Sequence, residues 1–236
     1  MIPSSKTGLL RDLVRRLKVQ FWFKTFGGAG FMVLFFWGYI YILRHAVFPV
    51  TDMPLLAIDR WISYQNSAWL LYVSLWLYVQ LPVTMIENRW ELIRYGVAAA
   101  AISAIGFAIF IFWPTAVPPV GVEGDGALLA AVRNIDTTGN SCPSLHVAFS
   151  VFTALWLDRF VRRIGAVSWV RWANAVWCLG IVYSTLATKQ HVLLDALAGA
   201  ALGYVGGWMQ ARYGGEGRTA AASAELAQTS PAARKL

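Results

Sequence analysis

Long apolar stretches separated by short polar segments dominate the sequence. Six of these stretches are long enough to cross a bilayer, which requires about 20 mostly apolar residues. They span residues 26–43, 67–86, 95–113, 144–161, 170–187 and 191–209. The fourth carries Asp158 and Arg159 close to its end, and the fifth is short. The pattern predicts an all-α fold, a polytopic membrane bundle of six transmembrane helices.

The first 25 residues follow a different, amphipathic pattern. Leu9, Leu13 and Leu17 fall on one helical stripe, and basic residues occupy other positions. Such a helix lies on the membrane surface. A cleaved signal peptide is the alternative, but the apolar run that follows is long and lacks a small-x-small cleavage site. We therefore expect a surface helix in residues 1–25, the six-helix domain in 26–213 and a disordered tail in 214–236.

The composition agrees with a membrane protein. Hydrophobic residues make up 58% of the 236 residues and charged residues only 14%, against about 25% in a typical soluble domain. So few charges cannot cover a water-soluble globule of this size, which excludes an ordinary soluble enzyme, a disordered chain and a disulfide-rich secreted module. Cys142 lies beside a loop and Cys178 within an apolar run, so we expect no disulfide between them.

The net charge of +8 is explained by orientation in the membrane. Lysine and arginine concentrate in the cytoplasmic segments of membrane proteins. With the N-terminus inside, sixteen of the 20 Lys and Arg fall in cytoplasmic segments, and the outer loops keep only Arg44, Arg60, Arg133 and Lys189. We therefore expect a multi-pass cell-membrane protein with both termini cytoplasmic. The basic residues form no continuous face, so we expect no nucleic-acid partner.

Two of the predicted spans begin with polar residues. Ionisable residues within a membrane span are unfavourable, since an Asp at mid-span costs about 2.5–3.5 kcal/mol, and their presence therefore points to a function. Residues 141–146 (Ser-Cys-Pro-Ser-Leu-His) open the fourth span. Residues 188–191 (Thr-Lys-Gln-His) open the sixth, which continues to Asp195. The chain crosses inward through the fourth span and returns through the fifth. His146 and His191 must therefore lie at the same, outer face.

The spacing of these residues suggests acid–base chemistry. His191 and Asp195 are four residues apart, which places them on one face of a helix. Asp195 can then accept a hydrogen bond from one imidazole nitrogen and leave the other as a directed lone pair, as a nucleophile or general base requires. His146 arrives on a different helix, where it can protonate a leaving group.

The same helix starts offer positive potential for a phosphate. Pro143 suits a first helical turn, so the N–H groups of Ser144 and its neighbours would form an anion site. Lys189 adds one mobile positive charge, and Arg133 in the preceding loop is a second candidate.

Less specific interpretations apply to each cluster alone. His-x3-Asp can be an interfacial hydrogen-bonded pair, and Pro-Ser-x-His can be only a helix cap. Two histidines and an aspartate can also form a two-His-one-carboxylate metal site. Both clusters open helices on one membrane face with basic residues adjacent, and this conjunction favours a phosphate site with two catalytic imidazoles.

These residues resemble the motifs of the type 2 phosphatidic acid phosphatase superfamily of membrane lipid phosphatases and phosphotransferases. Its P-S-G-H motif corresponds to residues 143–146, and its S-R-x5-H-x3-D motif corresponds to residues 184–195. Three features look more like the inositol phosphorylceramide synthase branch: Leu145 in place of Gly, the proline-rich stretch 113–119, and residues 56–61 (Leu-Ala-Ile-Asp-Arg-Trp), which are similar to its Leu-Asp-Arg segment.

The resemblance implies a catalytic domain in which His191 forms a phosphohistidine, Asp195 orients it and His146 protonates the leaving alcohol. It also implies a phospholipid or lipid phosphate substrate at the extracytoplasmic face, and no metal or other cofactor. Thr185 replaces the Arg of the second motif, and a K-x6-R-P motif is absent. These losses favour a less charged phosphodiester donor and transfer to a ceramide- or diacylglycerol-type alcohol over hydrolysis by water. The alternative is a non-catalytic lipid-binding membrane protein with the same fold.

Overall fold

A computed structural model describes residues 6–118 and 139–213 of the chain. The described residues are mostly helical. The helices are α1 (Lys6–Lys18), α2 (Phe21–Arg44), α3 (Ala57–Trp61), α4 (Trp69–Val73), α5 (Leu75–Tyr78), α6 (Gln80–Met85), α7 (Arg89–Phe112), α8 (Leu145–Arg163), α9 (Ser168–Ala187) and α10 (Leu193–Tyr213). A short 3-10 turn at Asn66–Ala68 leads into α4. The predicted tail and Arg133 lie outside the described residues.

Three helical segments of the described chain are long and apolar enough to cross a membrane, namely Phe21–Arg44, Asn66–Met85 and Arg89–Phe112. They coincide with the first three predicted spans. The second consists of short helical pieces in series rather than one unbroken helix. Helices α8, α9 and α10 occupy the last three predicted spans and contain 19, 20 and 21 residues. Among these, α8 is less apolar because Asp158, Arg159, Arg162 and Arg163 lie at its end.

The N-terminal segment is helical, and its polar side chains bind the loop before α7. Arg15 forms an ion pair with Glu87 at 2.6 Å, and Arg16 donates a hydrogen bond to the Met85 carbonyl oxygen at 3.1 Å. Helix α2 begins at Phe21, earlier than the predicted residue 26, and therefore includes Lys24. The Lys24 ammonium is buried and donates to the carbonyl oxygens of Arg16 and Thr84. These bonds fasten α1 to the ends of α2 and α6.

Helix α8 forms the centre of the core, and α10 packs directly against its backbone. A Cβ atom on Gly199 would lie 2.2 Å from the Ser144 carbonyl oxygen, and one on Gly203 would lie 2.2 Å from that of Ala148. The two glycines are four residues apart and share one face of α10. Only glycine allows this approach, which is the small-residue packing common between membrane helices.

Two short strands, β1 (Thr51–Asp52) and β2 (Thr115–Ala116), add a small parallel pair that the all-α prediction did not include. Thr51 lies opposite Thr115, and a further bridge joins Thr115 to Asn140. The Thr115 carbonyl oxygen accepts a hydrogen bond from the Ser141 N–H at 3.0 Å. The chain after α7 therefore holds the segment that leads into α8.

Replacing Gly203 by alanine should destabilise the fold, because the new methyl group would lie 2.2 Å from the Ala148 carbonyl oxygen. Overpacking of this kind costs about 1–3 kcal/mol. Gly180→Ala is the matched control, since its Cβ would make an ordinary contact with Leu71 at 3.5 Å. Thermal unfolding in detergent should give a lower midpoint for G203A than for G180A. Equal midpoints would contradict the close contact of α8 and α10.

Candidate active site

The start of α8 is fixed by Ser144, which is the N-cap residue of this helix. Its hydroxyl oxygen accepts a hydrogen bond from the Val147 N–H at 3.3 Å, and its own N–H donates to the Asp195 carbonyl oxygen at 3.0 Å. The Ser144 N–H is therefore not free to bind an anion, contrary to the prediction, because it ties α8 to α10. Pro143 precedes the cap instead of occupying the first turn, as α8 begins at Leu145.

The end of α9 positions the backbone of His191. Lys189 adopts a left-handed conformation with φ of 56°, and its N–H donates to the Leu186 carbonyl oxygen. The N–H of Gln190 donates to the Thr185 carbonyl oxygen at 3.1 Å, which completes a Schellman motif. The His191 N–H donates to the same Thr185 oxygen at 3.1 Å. Thr185 thus fixes the position of His191 through its carbonyl group.

Helix α10 begins at Leu193, so His191 precedes the helix and does not lie on its face as predicted. The reason is that two carboxylates cap the helix after His191. Asp195 accepts a hydrogen bond from the Val192 N–H at 3.1 Å, as an acidic residue does in a capping box. Asp59, far away in the sequence, accepts one from the Leu193 N–H at 2.7 Å.

His191 and Asp195 are close, although they are not hydrogen-bonded. The distance from His191 Nδ1 to Asp195 Oδ2 is 3.6 Å, which is too long for the predicted hydrogen bond. The same carboxylate oxygen accepts a hydrogen bond from the Ser141 hydroxyl at 2.5 Å. Asp195 is fully buried and His191 is 6% exposed. Hydrogen bonds between catalytic groups are often long when no substrate is bound. A small movement of the His191 ring would bring its Nδ1 atom within hydrogen-bond distance of Asp195.

Lys189 binds the protein backbone. Its ammonium donates to the carbonyl oxygens of Asp59, at 2.6 Å, and of Ile62. Burial lowers the pKa of Lys189, and the charge of Asp59 opposes this shift. The sequence predicted a mobile positive charge here, whereas the structure holds the ammonium in one place. The Lys189 ammonium and the Asp59 carboxylate therefore both connect α3 to the turn that contains His191.

His146 and His191 line the same cavity, which has a volume of about 580 Å³. The His146 ring stacks on Tyr72 with centroids 4.0 Å apart and meets Trp76 edge-on. Its Nε2 atom lies 3.4 Å from the Tyr72 carbonyl oxygen. The structure therefore brings the two predicted imidazoles to one cavity. Ser144, Lys189 and Asp195 are buried, and none of the three is among the cavity-lining residues of the described chain.

The cysteines and acidic residues around the site do not suggest another chemistry. Cys142 and Cys178 are both free and buried. Burial, together with the nearby charge of Asp195, raises the pKa of Cys142 to about 12, so its thiol stays protonated and is a poor nucleophile. Within the described ranges, no group of three or more His, Cys, Asp and Glu residues is arranged to hold a metal ion.

Sequence reasoning missed two residues that support the site, Asp59 and Ser141. Asp59 is separated from its partner Leu193 by 134 positions, and Ser141 is 54 positions from Asp195. No periodicity links residues so far apart in the chain. Their only signals were the position of Asp59 in the segment 56–61 and that of Ser141 at the start of the polar cluster 141–146, and neither signal indicates a partner.

Comparison with known protein families gives one finding. The model of the PAP2 superfamily matches residues 91–216, which is more than half of the chain and includes both histidine clusters. Comparisons with curated proteins and with solved structures gave no match.

Replacing Asp59 by alanine should loosen the start of α10. Loss of a side-chain cap costs about 1 kcal/mol, and a buried N–H without a partner adds to this cost. Amide hydrogen exchange in residues 191–196 should therefore become faster. Arg60→Ala is the matched control, because the neighbouring Arg60 is exposed. If D59A exchanged no faster than R60A in this region, the proposed role of Asp59 in fixing the start of α10 after His191 would be refuted.

Proposed function

The chain belongs to the PAP2 superfamily, and from this membership we propose that it is an integral-membrane phosphatase or phosphotransferase acting on a lipid phosphate. The observation that carries the proposal is that His146 and His191 line one cavity. They come from the starts of two different helical regions, so the fold itself brings them together. An apolar cavity with two imidazoles at its wall suits a phosphorylated lipid.

In the proposed reaction, Nε2 of His191 attacks phosphorus and the bond between phosphorus and the leaving oxygen breaks. His146 gives its proton to that oxygen, which leaves as an alcohol. Water or a second alcohol then attacks the phosphohistidine, passes its proton to His146, and the phosphorus–nitrogen bond breaks. Asp195 faces Nδ1 of His191 and stabilises the positive charge that forms on the ring.

We propose that Lys189, Ser144 and Arg133 supply the positive potential for the phosphate. Lys189 does not line the cavity, so its ammonium acts through its positive charge and not by direct contact with the substrate. Ser144 acts by capping α8, whose dipole places positive potential at its start. Arg133 lies outside the described residues, and its role follows from the sequence alone.

We further propose six membrane crossings with the site at the extracytoplasmic face. The crossings are α2, the segment Asn66–Met85, α7, α8, α9 and α10. Support comes from the sixteen of 20 Lys and Arg that then fall on the cytoplasmic side with both termini. In this orientation α1 lies on the inner membrane surface.

For the acceptor, we propose an alcohol of the ceramide or diacylglycerol type, as in the inositol phosphorylceramide synthase branch. Thr185 stands where the superfamily motif has Arg, and its hydroxyl donates to the Val182 carbonyl oxygen. The site thus lacks one cation, which suits a phosphodiester donor with less charge than a monophosphate. Purified protein can be given labelled lipid monophosphate and phosphodiester in turn, each together with ceramide or diacylglycerol as the acceptor. A new phospholipid would support transfer, and release of free phosphate alone would instead identify a phosphatase.

Substitution of the two cavity histidines should separate their roles. His191→Ala should abolish turnover and the acid-labile phosphoprotein, because no nucleophile remains. His146→Ala should slow turnover by about 10²–10⁴-fold, the usual contribution of general acid–base catalysis. His45→Ala is the control, since His45 is the chain's third histidine and is exposed. Full activity of purified H191A protein would refute the proposed mechanism.

A non-catalytic lipid-binding protein with the same fold is the alternative function. Vanadate distinguishes the two, because it mimics pentacoordinate phosphorus at a phosphoryl-transfer site. We expect vanadate to bind the purified protein and to inhibit turnover, and we expect His191→Ala to weaken this binding. Protein that neither turns over lipid phosphate nor binds vanadate would favour the non-catalytic function.

A further inference from the structure

The cavity at the two histidines continues as a long groove along α2. Its lining includes residues of this helix from Lys24 to Tyr39, and one further residue beyond each of them. At a rise of about 1.5 Å per residue, these positions are roughly 22 Å apart. His146 lies towards the Tyr39 end, because its ring meets Trp76, which packs on Phe36. Asn140 closes this end, since it lines the cavity and its side chain donates to the Tyr39 carbonyl oxygen at 3.1 Å. Lys24 and Gln80 mark the opposite end.

The walls between these ends are apolar. Aromatic and aliphatic side chains from α2, α5, α6 and α7 form them, including Phe31, Phe35, Phe36, Leu75, Val79 and Val83. An apolar wall of this kind binds hydrocarbon, and polar groups at one end fix a ligand's orientation. The groove length of roughly 22 Å exceeds half of the bilayer's hydrocarbon core, which is about 15 Å. With the histidine end at the outer face, as in the proposed topology, the groove would therefore continue past the membrane midplane.

We propose that this groove binds one hydrocarbon chain of the substrate, with the phosphate at His146 and His191 and the chain end towards Lys24. The inference rests on the proposed function and adds to it a selection for chain length. A volume of about 580 Å³ lies within the range of sites for a single small ligand. The two histidines at one end identify the occupant as the substrate itself rather than a bulk membrane lipid.

Glycines in the groove wall make the inference testable. Gly28 lines the groove one turn from Lys24, and a Cβ atom placed on it meets no other atom within 4 Å. A larger side chain there would therefore begin in open space at the groove wall. Gly30 has equally open space but does not belong to the groove lining of the described chain. Gly28→Phe and Gly30→Phe are therefore a matched pair.

The first experiment compares octyl phosphate with octadecyl phosphate as substrates. Gly28 lies roughly 16 Å along the helix from Tyr39, so a phenylalanine there should block the far part of the groove only. We expect G28F to lower kcat/KM for octadecyl phosphate by at least about tenfold, since the exclusion of only two methylenes already accounts for that factor. Octyl phosphate should be turned over at the wild-type rate, which also shows that G28F is folded. G30F should leave both substrates unchanged.

The second experiment measures binding without chemistry. His191→Ala protein is incubated with octadecyl phosphate that carries a diazirine at its tail end, and the cross-linked residues are mapped by mass spectrometry. We expect labelling of α2 near Lys24 and its loss when unlabelled octadecyl phosphate competes.

The outcomes distinguish the groove from the proposed function. Labelling near Lys24 without turnover by the wild-type protein would leave the groove in place and overturn the phosphoryl-transfer proposal. Normal wild-type turnover with equal effects of G28F and G30F would refute the proposal that the groove binds the substrate's hydrocarbon chain. Labelling that no competitor reduces would refute it as well. The latter result would mean that bulk membrane lipid fills the groove.

Discussion

The backbone contact between α8 and α10 is the constraint on which the site depends. Gly199 lets α10 approach the Ser144 carbonyl oxygen, and the Ser144 N–H binds the Asp195 carbonyl oxygen in return. This contact joins the starts of the two helical regions that carry His146 and His191. A side chain at Gly199 would force the helices apart and separate the imidazoles. The packing of α8 against α10 therefore also determines the relative positions of the His146 and His191 imidazoles.

The charged side chains around His191 bind backbone groups, which reduces the cost of burying them. The side-chain amide of Gln190 and Asp195 Oδ1, by contrast, are buried without a hydrogen-bond partner among the described residues. Asp59 and Asp195 cap α10, and the Lys189 ammonium binds two carbonyl oxygens of the α3 region. A buried charge without partners would be strongly unfavourable. Each of these groups also restricts the turn between α9 and α10. The left-handed backbone at Lys189, which glycine would adopt more easily, is held by these contacts.

The membrane helices and the two histidine clusters could be predicted from local patterns, because a hydrophobic stretch or a helix start is encoded by neighbouring residues. The family match over residues 91–216 confirms the superfamily resemblance that those clusters suggested. The exact starts of the helices were less predictable. Asp59 caps α10 from a distant segment, so the helix begins after His191, which the spacing of His191 and Asp195 could not indicate. The role of Lys189 also depends on a tertiary contact, since its partners Asp59 and Ile62 are far away in the sequence.

The distribution of positive charge bears on which donor the site favours. Thr185 is fully buried and its hydroxyl binds within α9, so this position presents no cation where the superfamily motif has one. Lys189 is largely committed to carbonyl oxygens, so little of its hydrogen-bonding capacity remains for a phosphate. A phosphate monoester dianion needs more compensation than a diester monoanion, because desolvation penalises charge. This scarcity of free cations among the described residues near His191 is the reason that the proposed function assigns a diester donor. A transferase then needs water kept from the phosphohistidine, and a hydrocarbon chain that fills the apolar groove beside the imidazoles would exclude it.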